Sequence, residues 1–113
     1  MTGRLARFLS IGAALGLTAF GAEPIRIGEI EPLTGKEAAF GQSSHRGVLL
    51  AVEELNRRGG ILGRPVVLVT DDNQSKSGES ATIARKQITR DKVVAVINGG
   101  TTAQCLEIGR AHV

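Results

Sequence analysis

The sequence has no tryptophan and no tyrosine, and its aromatic content is three phenylalanines. Surfaces that bind nucleic acid by stacking bases need more rings than that, so this chain is poorly equipped for such work. Charge points the same way. The formal net charge is +3, but Arg4 and Arg7 fall in a segment expected to be removed, and the remaining Lys and Arg are interleaved with acids. No nucleic-acid partner is expected. A single cysteine, Cys105, excludes an internal disulfide framework and is read as a small packed residue. Internal repeats and low-complexity tracts are missing beyond the first segment. What remains is 113 residues, 42% of them hydrophobic, enough for one small globular domain with a core.

The first segment reads as a secretory signal peptide over residues 1–21. Met1 to Arg7 carries two arginines and no acid, and Phe8 to Phe20 is apolar apart from Ser10 and Thr18. Ala19 and Gly21 supply the small residues before a cut after Gly21. The apolar run is short for a membrane span, and no cysteine follows it to take a lipid. The mature chain is therefore expected to be exported and soluble.

The stretch IRIGEIEPLTGKEAAFG, Ile25 to Gly41, organises the rest of the chain. It alternates as a strand with little charge on one face, breaks at Pro32 and Gly35, and leads into a helix. That helix is predicted over Gln42 to Arg58, capped by Gly41, Ser43 or Ser44, with Val48, Val52 and Leu55 inward. Gly59 and Gly60 end it, one of them left-handed. Val66 to Thr70 is predicted to be a strand buried on both faces, stopping at Asp71, Asp72 and Asn73. A second helix, about Ser77 to Arg90, starts at a Ser77 cap and turns Ala81, Ala84 and Ile88 inward. Val93 to Ile97 reads as a third buried strand, after which a helix starts and soon lapses. The fold class is thus α/β, the start of a parallel doubly wound sheet, incomplete as β-α-β-α-β-(α). Uncovered apolar edges mark it as part of a larger domain.

Enzymatic readings find little support. A dinucleotide fold needs GxGxxG between strand one and helix one; that loop has only Gly35 and Gly41, and Gly59-Gly60 sits at a helix-to-strand junction. No phosphate loop is present. Asp71 and Asp72 are weighed as a metal pair or phosphoacceptor, and the plainer role of capping turns is preferred. His45 has no second ligand at useful spacing and is expected to be solvated. No catalytic residue, metal site or cofactor is assigned. The loop after strand three is more informative. Gly99 and Gly100 would leave backbone N–H groups facing outward, and Thr101 and Thr102 add hydroxyls at a helix start, which favours an anion. Phe40, in the first loop rather than a core stripe, could supply an aromatic wall. Such a set suits a small zwitterion such as an amino acid; ordinary capping by Thr and packing by Phe is the alternative.

Three segments carry a resemblance: IRIGEIEPLTG, then AAFGQSSHRGVLLAVEELNRRGGILGRPVVLVTDDNQSKSGESA, then RDKVVAVINGGTT. Over residues 24–107 the chain resembles the start of a periplasmic solute-binding protein of the branched-chain amino acid type, from ABC importers. The resemblance implies a type I periplasmic-binding-protein lobe, a small-molecule ligand, a membrane permease as partner, periplasmic location and no enzymatic activity. It places the family's aromatic on Phe40. It places the loop that holds the ligand's carboxylate and amino group on Gly100, Thr101 and Thr102, with Thr34 in the first loop lining the cleft. Two departures stand out: the third loop is not serine-rich, and the disulfide of many members is missing. A ligand-sensing receptor domain of the same fold is the alternative. The family would continue from Glu107 with a full apolar helix; the chain instead reads Ile108-Gly-Arg-Ala-His-Val, which matches one frame of a common adapter oligonucleotide. Residues 108–113 are expected to be a non-native tail, with Arg110 and His112 without function.

Overall fold

The β-branched runs become the strands of one sheet. A computed structural model describes residues 22–111; the signal segment, His112 and Val113 lie outside the described residues. Strands β1 (Ile25–Glu31), β2 (Val66–Asp72) and β3 (Ala95–Asn98) alternate with helices α1 (Ala38–Arg57), α2 (Ser77–Thr89) and α3 (Thr102–Ala111). The sheet is parallel in the order β2-β1-β3, as the α/β reading requires. Ile25 pairs with Val66 and Ile27 with Ala95, so β1 is the central strand.

Side chains alternate across β1 with period two. Ile25, Ile27, Glu29 and Glu31 share one face, against which α1 places Ser44 and His45. Gly28 and Ile30 face the other way, where α2 brings Gln87 against Gly28; α3 packs beside α2. The face of β1 that carries Ile25 and Ile27 therefore also carries two buried carboxylates, Glu29 and Glu31.

Several boundaries differ from expectation, each for a local reason. α1 begins a turn earlier than predicted, at Ala38, with Glu37 as N-cap and no side-chain cap bond. Gly35 O and Glu37 O already accept from Ala38 N and Phe40 N, so Phe40 lies in the first turn of the helix, not in the loop. Ser44, a predicted cap, instead donates to Glu31. Lys76, not Ser77, caps α2, again without a side-chain bond. Both Gly59 and Gly60 have positive φ, 98° and 78°, where one was expected. β2 runs on through Asp71 and Asp72, because those residues pair with Ile30 and Glu31. β3 starts late because Val93 N is taken by Gln87 O at 3.1 Å.

The apolar core is small: Ile30, Val66, Ala81 and Ala84 are buried. The predicted α1 stripe is half-buried at Val48 and Val52 and exposed at Leu55, and Ile88 on α2 is half-buried. β2 is not buried on both faces, since Val67 is 42% exposed, and β3 exposes alternate residues. Both are edge strands of a three-strand sheet, and no further strand among the described residues pairs with them. α3 does not lapse; it runs to Ala111, with Ile108 against an apolar hollow formed with Ile88, Val93 and Val96.

Candidate functional site

The carboxyl ends of β1 and β3 open onto a cavity of about 350 Å³, lined by Pro32, Glu37, Phe40, Gly99, Gly100 and Thr101. This is the end of a parallel sheet at which open α/β folds collect ligands, and the volume is that of a small-molecule site. Each wall has a sequence-level cause. Pro32 ends β1. Phe40 is carried outward by the first turn of α1 and is 75% exposed. The Gly99-Gly100 pair lets the β3–α3 loop lie close over the end of β1.

That approach is tight at Gly99. A Cβ there would meet the Ser44 hydroxyl and would stand 2.5 Å from both carboxylate oxygens of Glu31. Glu31 is fully buried under the loop and accepts from Ser44 Oγ at 2.8 Å. Burial pushes its carboxyl above the ordinary value; the Ser44 hydroxyl and the Gly99 N–H pull it back, while the neighbouring Glu29 carboxylate pushes it up. Glu29 in turn holds His45 Nδ1 at 2.7 Å and accepts from Thr70 Oγ1 at 2.7 Å. His45 is thus engaged with a buried carboxylate rather than freely solvated. One oxygen of each acid, Glu29 Oε1 and Glu31 Oε2, is buried without a partner among the described residues.

The loop amides are turned inward, contrary to expectation. Gly100 N donates to Asn98 Oδ1 at 3.1 Å, and Thr101 N donates to Gln104 Oε1 at 3.1 Å. Gln104, buried, also donates from Nε2 to Glu37 Oε2 at 2.7 Å. The start of α3 is therefore half of a capping box, with Thr101 as the cap and Gln104 at the third helical position. Cys105 is exposed, not packed.

The structure brings three of the expected residues together: Phe40, Gly100 and Thr101 line one cavity. Thr102 is the first residue of α3 and is exposed beside them. Thr34 is held elsewhere, its hydroxyl on Asp72 Oδ2 at 2.6 Å, and is not among the residues lining the cavity. Sequence reasoning missed Glu37, Gln104, Gly99 as a contact and the Glu29/Glu31 pair. Signals for two of these existed: Thr101-x-x-Gln104 has capping-box spacing, and Glu29 and Glu31 share parity with Ile25 and Ile27. Among the described residues no group of three His, Cys, Asp or Glu is placed to hold a metal, and no helix is long and apolar enough to cross a membrane.

A parallel α/β unit with a cavity at its strand ends has the architecture of the open α/β sheets, in which that end is where ligands collect. Comparison with known proteins makes the class specific. Residues 24–111 match the family described as periplasmic binding protein, and the chain belongs to that family. A Leu/Ile/Val-binding protein homologue of Brucella suis is 38% identical over 111 residues, covering 91% of this chain and 27% of the relative. Among solved structures, the branched-chain amino acid transporter substrate-binding protein LivJ of Streptococcus pneumoniae, in complex with isoleucine, is 35% identical with a TM-score of 0.69. That match covers 80% of this chain and 27% of the other. The leucine-binding protein LivK of Thermotoga maritima is also 35% identical, with a TM-score of 0.70, covering 76% and 24% respectively. The chain spans about a quarter of the length of the relatives it matches.

Proposed function

We propose that residues 22–107 form the N-terminal part of the first lobe of an extracytoplasmic solute-binding protein. Its ligand is an amino acid of the branched-chain type or a similar small polar solute. The solute is delivered to the membrane permease of an ABC importer, with no chemical transformation. Phe40 covers the apolar part of the solute, Gly100, Thr101 and Thr102 meet its polar groups, and Thr34 stands in the adjoining loop. Residues 1–21 are the export signal that takes the chain to the periplasm.

The observation that carries this reading is the cavity formed by Phe40, Gly100 and Thr101 at the strand ends in a chain that matches the family over residues 24–111. Isoleucine in the pneumococcal relative makes it the first solute to try. Titrating it into the chain, with backbone amide signals followed by NMR, should move Phe40, Gly100, Thr101 and Thr102 and spare the far end of the sheet. Shifts confined to other regions would refute the site. Export is tested separately, with a reporter enzyme joined to residues 1–21; a reporter retained inside the cell would refute that part.

A further inference from the structure

The two walls of the cavity belong to helices on opposite faces of the sheet. Phe40 is carried by the first turn of α1, while Thr101 and Thr102 open α3, which packs beside α2 on the far face. Packing between α1 and α3 therefore does little to set the spacing of the walls. One side chain crosses between them. Gln104 is buried and uses both ends of its amide: Oε1 accepts from Thr101 N at 3.1 Å, and Nε2 donates to Glu37 Oε2 at 2.7 Å. Glu37 is the N-cap residue of α1, and its carbonyl accepts from Phe40 N at 3.0 Å. A continuous hydrogen-bonded path thus runs from Thr101 through Gln104 and Glu37 to Phe40. Gly100 leaves room for it, since a Cβ there would clash with Gln104 Oε1 and lie 2.9 Å from its Cδ.

Capping of α3 asks for only half of this. An acceptor at the third helical position serves the cap, and a carboxylate would do as well as an amide. The bond to Glu37 adds nothing to α3, and it needs a side chain with a donor at one end and an acceptor at the other. We propose that Gln104 is a positioning residue for solute binding: its amide holds the start of α3 against the start of α1 and so fixes the distance between Thr101 and Phe40 across the cavity. This rests on the solute-binding reading above, to which it adds the side chain that keeps the site at its working width.

The test reverses the polarity of the bond. Gln104→Glu keeps the acceptor for Thr101 N and suits a helix start, but it sets two carboxylates face to face, where like charges repel. Adding Glu37→Gln returns one donor and one acceptor to the pair, in the opposite order. Isoleucine is titrated into the full chain at neutral pH with the Phe40, Gly100 and Thr102 amides followed by NMR, and urea midpoints are measured in parallel. In the folded protein Gln104→Glu should weaken isoleucine binding at least ~10-fold, the loss expected of a site about 1 Å too loose. The double variant should recover to within about threefold of the parent. A merely structural glutamine would lower the urea midpoint and leave the folded protein's affinity unchanged; that result overturns the inference while leaving the solute site standing. So does a double variant that binds no better than Gln104→Glu. Cavity signals of the parent that stay still with isoleucine would overturn the site reading and this inference with it. Should Gln104→Glu lose its dispersed spectrum, Gln104→Asn decides. One methylene too short to span both partners, it should weaken binding at least ~5-fold, and parental affinity would overturn the inference.

Discussion

The Thr34 hydroxyl donates to Asp72 Oδ2 at 2.6 Å, joining the loop after β1 to the end of β2. Asp72 Oδ1 takes three backbone N–H groups as well, from Leu33 at 2.9 Å, Thr34 at 3.2 Å and Gln74 at 2.8 Å. One carboxylate thus sets the path of both loops. Although its partial burial acts the other way, the Thr34 hydroxyl and the Gln74, Thr34 and Leu33 N–H groups hold the Asp72 carboxyl below the ordinary aspartate value. A lowered folded-state pKa contributes stability that is full above the unfolded value and is lost as pH falls through the folded one. Replacing Asp72 by Ala should cost about 1–2 kcal/mol near neutral pH, a figure discounted for solvent exposure. Urea midpoints should show that difference narrowing in acid. A constant difference down to about pH 2 would contradict this account.

Glu31 should behave with the opposite sign. Its burial beneath Gly99 raises the carboxyl pKa, and the Glu29 charge adds to that, against the Ser44 and Gly99 hydrogen bonds. A raised folded-state pKa means the stabilising contribution is present below the unfolded value and lost as pH rises through the folded one. Glu31→Gln keeps the shape and removes the buried charge. Its thermal midpoint should therefore exceed that of the parent at pH 8 and converge with it in mild acid. Parallel pH profiles for the two proteins would show that burial of this charge has no consequence.

These two acids also mark the limit of what the sequence made legible. The β-α-β-α-β-α order was readable because Val66-Val-Leu-Val and the neighbouring runs have strand character, and because Gly59-Gly60 stops a helix wherever it occurs. Phe40 could be singled out as an aromatic outside any core stripe, Gly100 as a residue with no side chain in the way, and Thr101 as a hydroxyl at a helix start. Burial was harder to read. Val67 and Ile97 look like core residues in the sequence, yet both lie on edge strands, and exposure there depends on which strands flank them. Glu31 looks like a surface residue, yet parity with Ile27 turns it inward. The Gly100 amide seemed free because its acceptor, Asn98 Oδ1, belongs to a side chain whose rotamer no local pattern specifies. Glu37 was missed for the same reason: its bond to Gln104 spans 67 residues.

Gln87 makes a third prediction. Its buried amide nitrogen reaches Glu29 O at 3.2 Å, Val69 O at 3.0 Å and Asp71 Oδ2 at 2.9 Å, pinning α2 to both β1 and β2. It can lie so close because Gly28 has no side chain: a Cβ there would clash with Gln87 Oε1 and lie 2.9 Å from its Cδ. Gly28→Ala should therefore displace the amide from its acceptors and cost about 2–4 kcal/mol, the sum of overpacking and lost buried hydrogen bonds. Chemical denaturation measures it. A loss below about 0.5 kcal/mol would mean that Gln87 has another satisfactory rotamer.

Phe40 and Gly99 line the same cavity but should fail differently when changed. Phe40 is 75% exposed, so Phe40→Ala removes almost no buried area and should leave stability within about 0.5 kcal/mol. Its ring is nevertheless the largest apolar surface facing the cavity, and its loss should weaken solute binding about tenfold or more. Gly99→Ala places a methyl group against Ser44 and the Glu31 carboxylate. The β3–α3 loop must then lift, at a cost of about 1–3 kcal/mol, carrying Gly100 and Thr101 away from Phe40. This variant should lose stability and binding together. Paired denaturation and NMR titration curves separate the two cases. If Phe40→Ala destabilises the fold as much as Gly99→Ala does, the ring packs against the protein in solution and the cavity between them does not stand open.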